Sequence, residues 1–267
     1  MVVCNLHVVA LKSGTSPAAF LAKIRQHDMK PIFQAQVLRW MILPTHNSAG
    51  HLLNRNLRWD LVLGLDASTS IPSALQPVIE AIWTVSCGAS ARVLADYSKR
   101  NAALLKPEPG SVPQVELPDV SQSSNSQNLE FSPELGEWIS TMPPALQNHP
   151  VSMLNLLAFN EGKKDDYVRY GKEFSSRVGA RYGGNVKIAA RVVDGEGQRA
   201  RDEGWDEIAF VHYPTVKHFA AMSASREYQE VNQQYRLGAL KDTFILCTVE
   251  IDDHGELAGG RAALERL

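Results

Sequence analysis

The sequence predicts an α+β protein built from two tandem ferredoxin-like (βαββαβ) repeats that pack as a pseudo-dimer within one chain. Three observations point there. The stretch HVVALKSG, His7 to Gly14, returns as NLLAFNEG, Asn155 to Gly162. A Trp-Asp pair opens an apolar run behind each copy, with Trp59 falling 52 residues after His7 and Trp205 falling 50 after Asn155. Between the copies lies KPEPGSVPQVELPDVSQSSNSQ, Lys106 to Gln127, whose prolines and polar tract bury too little surface to fold alone. The expected division is an N-terminal unit at 1–105, a linker at 106–131 and a C-terminal unit at 132–267.

The second half gives the clearer element order. SMLNLLAF reads as a buried strand, and Tyr167, Tyr170, Phe174 and Val178 then recur at helical spacing. Asp165 and Asp166 suit that helix's first turn, and Gly183-Gly184 stops it. NVKIAARVV and WDEIAFVHYP read as strands joined by the turn-rich GEGQRARDEG. A long helix over Val216 to Lys241 and a strand FILCTVEID complete the unit. The first half follows suit: strand LHVVALK, helix PAAFLAKIRQHD, strands QVLRWMILP and LRWDLVLGLD, helix PSALQPVIEAIWTVS and a last strand ARVLADY.

Composition narrows the function. With 267 residues, 44% hydrophobic content and a formal net charge of −2, the chain can bury a large core and lacks the basic stripe of a nucleic-acid binder. No apolar run reaches a membrane span and no signal peptide is recognisable, so a cytoplasmic protein is expected. Cys4, Cys87 and Cys247 are widely spaced, so they read as small apolar residues in a reducing compartment. GxSxG, GxGxxG, P-loop and HExxH patterns are all missing, so any chemistry would run on acid–base groups without cofactor or metal.

Strand pairing then nominates a site. In a split βαβ unit the first and third strands are antiparallel neighbours. His7 would meet Asp66, and Asn155 would meet His212, if their side chains share a face. A carboxylate beside an imidazole fixes its tautomer and raises its basicity, and an amide can donate to a developing enolate. His7, Asp66, Asn155 and His212 are thus the catalytic candidates. Trp40, Trp59, Trp205 and Arg236 are candidates for substrate binding.

The motifs VSMLNLLAF, YVRYGKEF, RYGGNV, WDEIAFVHYPT and SREYQEVNQQYRLGALKDT resemble a small bacterial and fungal domain family of unknown function in the dimeric α+β barrel superfamily. The resemblance runs from Ser132 to Glu250, with His212 standing where relatives commonly carry an acidic residue. It implies the barrel fold and a range of activities among EthD-like proteins, polyketide cyclases and antibiotic-biosynthesis monooxygenases. The resulting expectation is a cofactor-independent lyase, isomerase or cyclase acting on an apolar polyketide-like or aromatic small molecule in secondary metabolism. A cofactor-free monooxygenase and a non-catalytic binding module are the alternatives. No nucleic-acid or membrane partner is expected, and a homodimer is left open.

Overall fold

Strand alternation, carried through both halves, produces a closed eight-stranded barrel in the order β1-β3-β2-β8-β5-β7-β6-β4. The computed structural model describes residues 1–117, 129–196 and 198–259. The first half supplies β1 (Val2–Leu11), α1 (Pro17–Gln26), β2 (Phe33–Ile42), the short α2 (Ala49–Leu52), β3 (Leu61–Asp66) and β4 (Ile79–Ala89). Next come α3 (Ala91–Ala95), α4 (Tyr97–Leu105), α5 (Pro133–Thr141) and α6 (Pro144–Gln147). The second half supplies β5 (Val151–Phe159), α7 (Lys164–Glu173), α8 (Gly179–Tyr182), β6 (Asn185–Val192), α9 (Gln198–Asp202) and β7 (Glu207–Tyr213). It ends with α10 (Val216–Ala224), α11 (Arg226–Val231) and β8 (Leu240–Glu250).

Each half orders its own strands alike, and the second strand of each pairs with the fourth of the other, β2 with β8 and β6 with β4. All pairings are antiparallel. The register carries the duplication: His7 stands opposite Leu63 as Asn155 stands opposite Ala209, and Cys4 opposite Asp66 as Ser152 opposite His212. The two matched glycines have a backbone reason. Gly14 at φ 90° and Gly162 at φ 70° turn the chain in the left-handed region, where a side chain is strained.

The barrel interior is filled. Phe244 meets Trp40, Trp83 and Trp205 edge-on, with ring centroids 5.4, 5.7 and 5.3 Å away. Phe33 stacks on Phe210 at 4.8 Å, in space that exists because residue 64 is glycine. Residues 43–57 plug one mouth. Asp242 accepts the main-chain N–H groups of Thr45, His46 and Asn47, and Ser48 Oγ accepts the indole N–H groups of Trp83 and Trp205 at 3.2 and 2.8 Å. The other mouth holds a buried ion pair between Lys187 and Glu250, bridged by Asn101 of α4.

The first half departs from its expected order. The segment read as a second helix is a 3-10 turn, Ser73–Val78, followed by β4; the segment read as a last strand is α3 and the start of α4. Pro77 removes a donor that a helix interior needs. Beyond it, Ile79, Ile82, Thr84 and Val85 are β-branched, and Trp83, Val85 and Cys87 alternate into the barrel. The long helix expected in the second half is two, broken at Ser225, whose hydroxyl caps α11. As a result the outer sheet faces are covered differently. In the first half α1 lies on Val9, Leu61, Leu63 and Leu65, while the β6–β7 connection reaches across from the second half to pack α9 on β4. In the second half α7–α8 and α10–α11 cover the face together. No described helix is long and apolar enough to cross a membrane.

Phe244→Ala should lower unfolding free energy by about 3–5 kcal/mol, because the three surrounding indoles cannot collapse into the space left. Urea titration checks this.

Candidate functional site

Outward-facing residues of the second half line a cavity of about 150 Å³ between the sheet and its helices. The strands supply Met153 and Asn155 from β5, Glu207, Ala209 and Val211 from β7, and Ile245 from β8. The helices supply Tyr167, Tyr170 and Phe174 from α7 and its extension, with Tyr228 and Arg236 from the region of α11. Both covering helices contain a π turn at the cavity, Phe174–Val178 and Asn232–Arg236. Such turns are frequent at functional sites because they re-aim the side chains around them.

Arg236 sets the electrostatics. It is 2% exposed and donates to Asn232 Oδ1 at 3.3 Å. Burial opposes its charge, yet electrostatic coupling to the ionisable oxygens of Tyr228, Tyr170, Tyr167 and Tyr213 keeps its pKa above the ordinary arginine value, so the guanidinium stays charged. The same burial raises all four phenol pKa values, so the tyrosines stay protonated at neutral pH. Tyr170 Oη donates to Tyr228 Oη at 3.5 Å. The cavity therefore offers a permanent cation and several O–H groups inside apolar walls, an arrangement that favours an anion. Glu207 is the one carboxylate among the lining residues, held by Lys164 Nζ at 2.5 Å.

Asn155 and Arg236 are thus brought to one cavity. Asn155 spends its amide nitrogen on the carbonyls of Met153 and Ala209, at 2.9 and 3.2 Å. It has no proton left to donate, so the group it can offer a ligand is its carbonyl oxygen, an acceptor; the expected donor role is corrected accordingly.

The His7–Asp66 and Asn155–His212 pairs do not form. In each case the partner lies three residues beyond the position directly opposite, and an odd step changes face. His7 is buried on the outer face with Nδ1 2.9 Å from Thr84 Oγ1, while Nε2 is buried without a hydrogen-bond partner. Asp66 is exposed at the end of β3, where its carboxylate accepts the N–H and hydroxyl of Ser68. His212 lies at the barrel mouth that holds Lys187 and lines a surface groove with Arg100 and Pro113. Burial foremost, then the charges of Lys187, His218 and His149, push its pKa down to about 3. The tryptophans belong to the barrel rather than the cavity. Trp40 and Trp205 pack on Phe244, while Trp59 donates to Leu52 O at 2.8 Å and borders an open groove beside α2.

Sequence reasoning missed Tyr167, Tyr170, Tyr228 and Glu207. The first two stand at helical spacing with Phe174 and Val178, and the signal in the sequence is that each adds a hydroxyl to that row, which an aliphatic core residue would not.

The cavity is too small for a haem or a flavin, since even drug-sized ligands occupy roughly 300 Å³ or more. Among the described residues, no group of three or more His, Cys, Asp and Glu is placed to hold a metal ion.

No protein-family model matches the chain, and no curated protein does. Among solved structures, a Rhodopseudomonas palustris protein of unknown function aligns over 44% of this chain and 94% of its own, at 24% identity and TM-score 0.35. A Lactobacillus acidophilus protein provisionally assigned as a monooxygenase covers 93% of this chain and 93% of its own, at 8% identity and TM-score 0.43. An anthrone oxidase-like protein covers 94% of this chain and 92% of its own, at 6% identity and TM-score 0.42. Likeness at this level says nothing of activity, and the tandem α+β barrel rests on the strand order and register.

Burial holds His7 neutral, with its pKa pushed down to about 4 from 6.5. The unfolded chain therefore binds the proton more readily, and stability present above pH 6.5 is lost as pH falls toward 4. The loss from this residue is roughly 3 kcal/mol. Comparing urea midpoints at pH 7 and pH 4.5 should show a smaller acid loss in His7→Gln than in the unsubstituted protein.

Proposed function

We propose that the protein is a cofactor-independent acid–base enzyme for a small, ring-sized organic acid or enol, and that it works in the C-terminal cavity. The observation that carries this reading is the buried guanidinium of Arg236 surrounded by protonated tyrosines in an apolar cavity. A space of about 150 Å³ suits a single aromatic ring. Substrate would bind through its carboxylate, phenolate or enolate oxygen to Arg236 and the phenols. Glu207, at the cavity edge, would take and return the proton. Arg236 would then stabilise the enolate, the species in which negative charge develops. The reaction class is proton transfer of the lyase, isomerase or cyclase kind.

A second reading shares the first step. An enolate held between apolar walls can react with molecular oxygen, which makes the chemistry a cofactor-free oxygenation. Anaerobic conditions would abolish turnover in that case and leave proton transfer untouched.

Benzoate and resorcinol are the probes. Benzoate should bind and quench the cavity tyrosines, while resorcinol ring protons should exchange faster in deuterated water when protein is added. Arg236→Met should weaken benzoate binding roughly 30- to 100-fold, the loss of a charge-assisted contact. Glu207→Gln should abolish the exchange and spare benzoate. Retained binding in Arg236→Met removes the anion site, and binding without exchange reduces the protein to a binding module.

Gly171 offers an independent check. It lines the cavity, and a Cβ there meets nothing within 4 Å. Gly171→Leu should block benzoate while leaving the melting temperature unchanged or higher, since leucine favours helix over glycine.

A further inference from the structure

Cys4 and Cys87 are far apart in sequence but meet inside the barrel. They are direct cross-strand partners on β1 and β4, with Sγ atoms 3.4 Å apart. Each sulfur also leans on the other residue's carbonyl oxygen at 3.6 Å, which holds the two thiols face to face. Directly opposed strand residues have Cα atoms about 4.5–5.5 Å apart, inside the range a disulfide spans. The sulfurs need only close to bonding distance.

The duplicated half supplies a comparison. Ser152 and Thr248 occupy the equivalent paired positions on β5 and β8, and Thr248 Oγ1 donates to Ser152 O at 2.8 Å. The Thr248 hydroxyl thus makes one of the two cross-strand carbonyl contacts that the thiols make in the first half. What the thiols add is the capacity to be joined.

We infer that Cys4 and Cys87 form a redox site that closes to an intrachain disulfide under mild oxidation. The oxidant is a small disulfide such as oxidised glutathione. The thiolate of one cysteine attacks it and expels one glutathione thiolate; the second cysteine attacks the mixed disulfide and expels the other. Two protein thiols become one disulfide, and one oxidised glutathione becomes two reduced molecules. The Cys87 thiol hydrogen bond lowers the pKa of Cys4, which favours Cys4 as the attacking group. Cys247 serves as the internal control, because its strand partners are Arg39 and Met153 and no cysteine faces it.

The bond would tie β1 to β4 beside the barrel's shortest seam. There β4 meets β6 through only three residue pairs, Cys87 to Ala89 against Val192 to Ala190. The link spans 83 residues, so it constrains a long stretch of the unfolded chain.

The full chain is incubated with oxidised glutathione a few degrees below its melting temperature, where local opening exposes the strands. It is then alkylated in denaturant and analysed by mass spectrometry. Two of the three thiols should disappear, a peptide linking Cys4 to Cys87 should be found, and Cys247 should stay alkylatable. The melting temperature should rise by about 5 °C or more and return on reduction. The double variant Cys4→Ser/Cys87→Thr, copying the second half, should fold and show no response. Three free thiols after oxidation, or a disulfide through Cys247, overturns the site. A Cys4–Cys87 bond with no gain in melting temperature overturns the clamp.

Discussion

The filled barrel is the constraint on which the rest depends. Closing two four-stranded sheets on each other brings Phe244, Trp83, Trp205, Phe33 and Phe210 into one interior, and that interior packs solid. Both mouths are stopped as well, one by residues 43–57 anchored on Asp242 and the other by α4 over Lys187 and Glu250. Among the described residues, the cavity that holds a buried cation lies instead in the layer between the outer sheet face and the helices. A residue's strand parity therefore decides whether it can reach a ligand in that layer.

A duplicated chain has two such layers, and they have diverged. In the second half Asn155 is flanked by Met153 and Ile245, beneath a pair of helices that deliver Arg236 and the tyrosines. The equivalent row in the first half is polar: His7 bonds Thr84, Ser86 donates to Asn5 at 2.7 Å, and Asn5 donates to Glu196 at 2.8 Å. Its second helix is missing, and the cover comes from the other half's β6–β7 connection. Glu196 belongs to that connection, so the first half's outer layer is completed by a residue of the second. The halves share a backbone plan while one keeps a cavity under helices and the other a hydrogen-bonded row under a strap.

The duplication was legible because turn glycines and buried tryptophans leave fixed marks. Gly14 and Gly162 need positive φ, and Trp59 and Trp205 enter the barrel at matching points. Parity was not legible for a physical reason. Helices cover the outside of the barrel and side chains fill the inside, so LVLGL is buried on both faces and shows no alternation. Counting from His7 could not tell whether Asp66 lay beside it or behind the sheet. The segment around Pro77 was ambiguous in another way, since its apolar spacing fits a helix and its β-branched content fits a strand. Arg236 could be named from sequence, but its burial could not, because a lone arginine in QQYRLGALKD looks the same whether it faces water or a cavity.

The path of α11 shows how that burial is achieved. Tyr228 and Arg236 are eight residues apart, and an α-helix of 3.6 residues per turn would leave them about 80° out of line. The π turn Asn232–Arg236 is wider and absorbs the excess, so the tyrosine and the arginine can line the same cavity. Asn232, fully buried between them in sequence, accepts from the guanidinium and fixes its direction. The turn is closed by the Leu237 N–H on Asn232 O at 3.0 Å, so the widening costs no hydrogen bond. What it achieves is the placement of one cation among four phenols, and that is why the proposed site falls in the second half's outer layer rather than the first's.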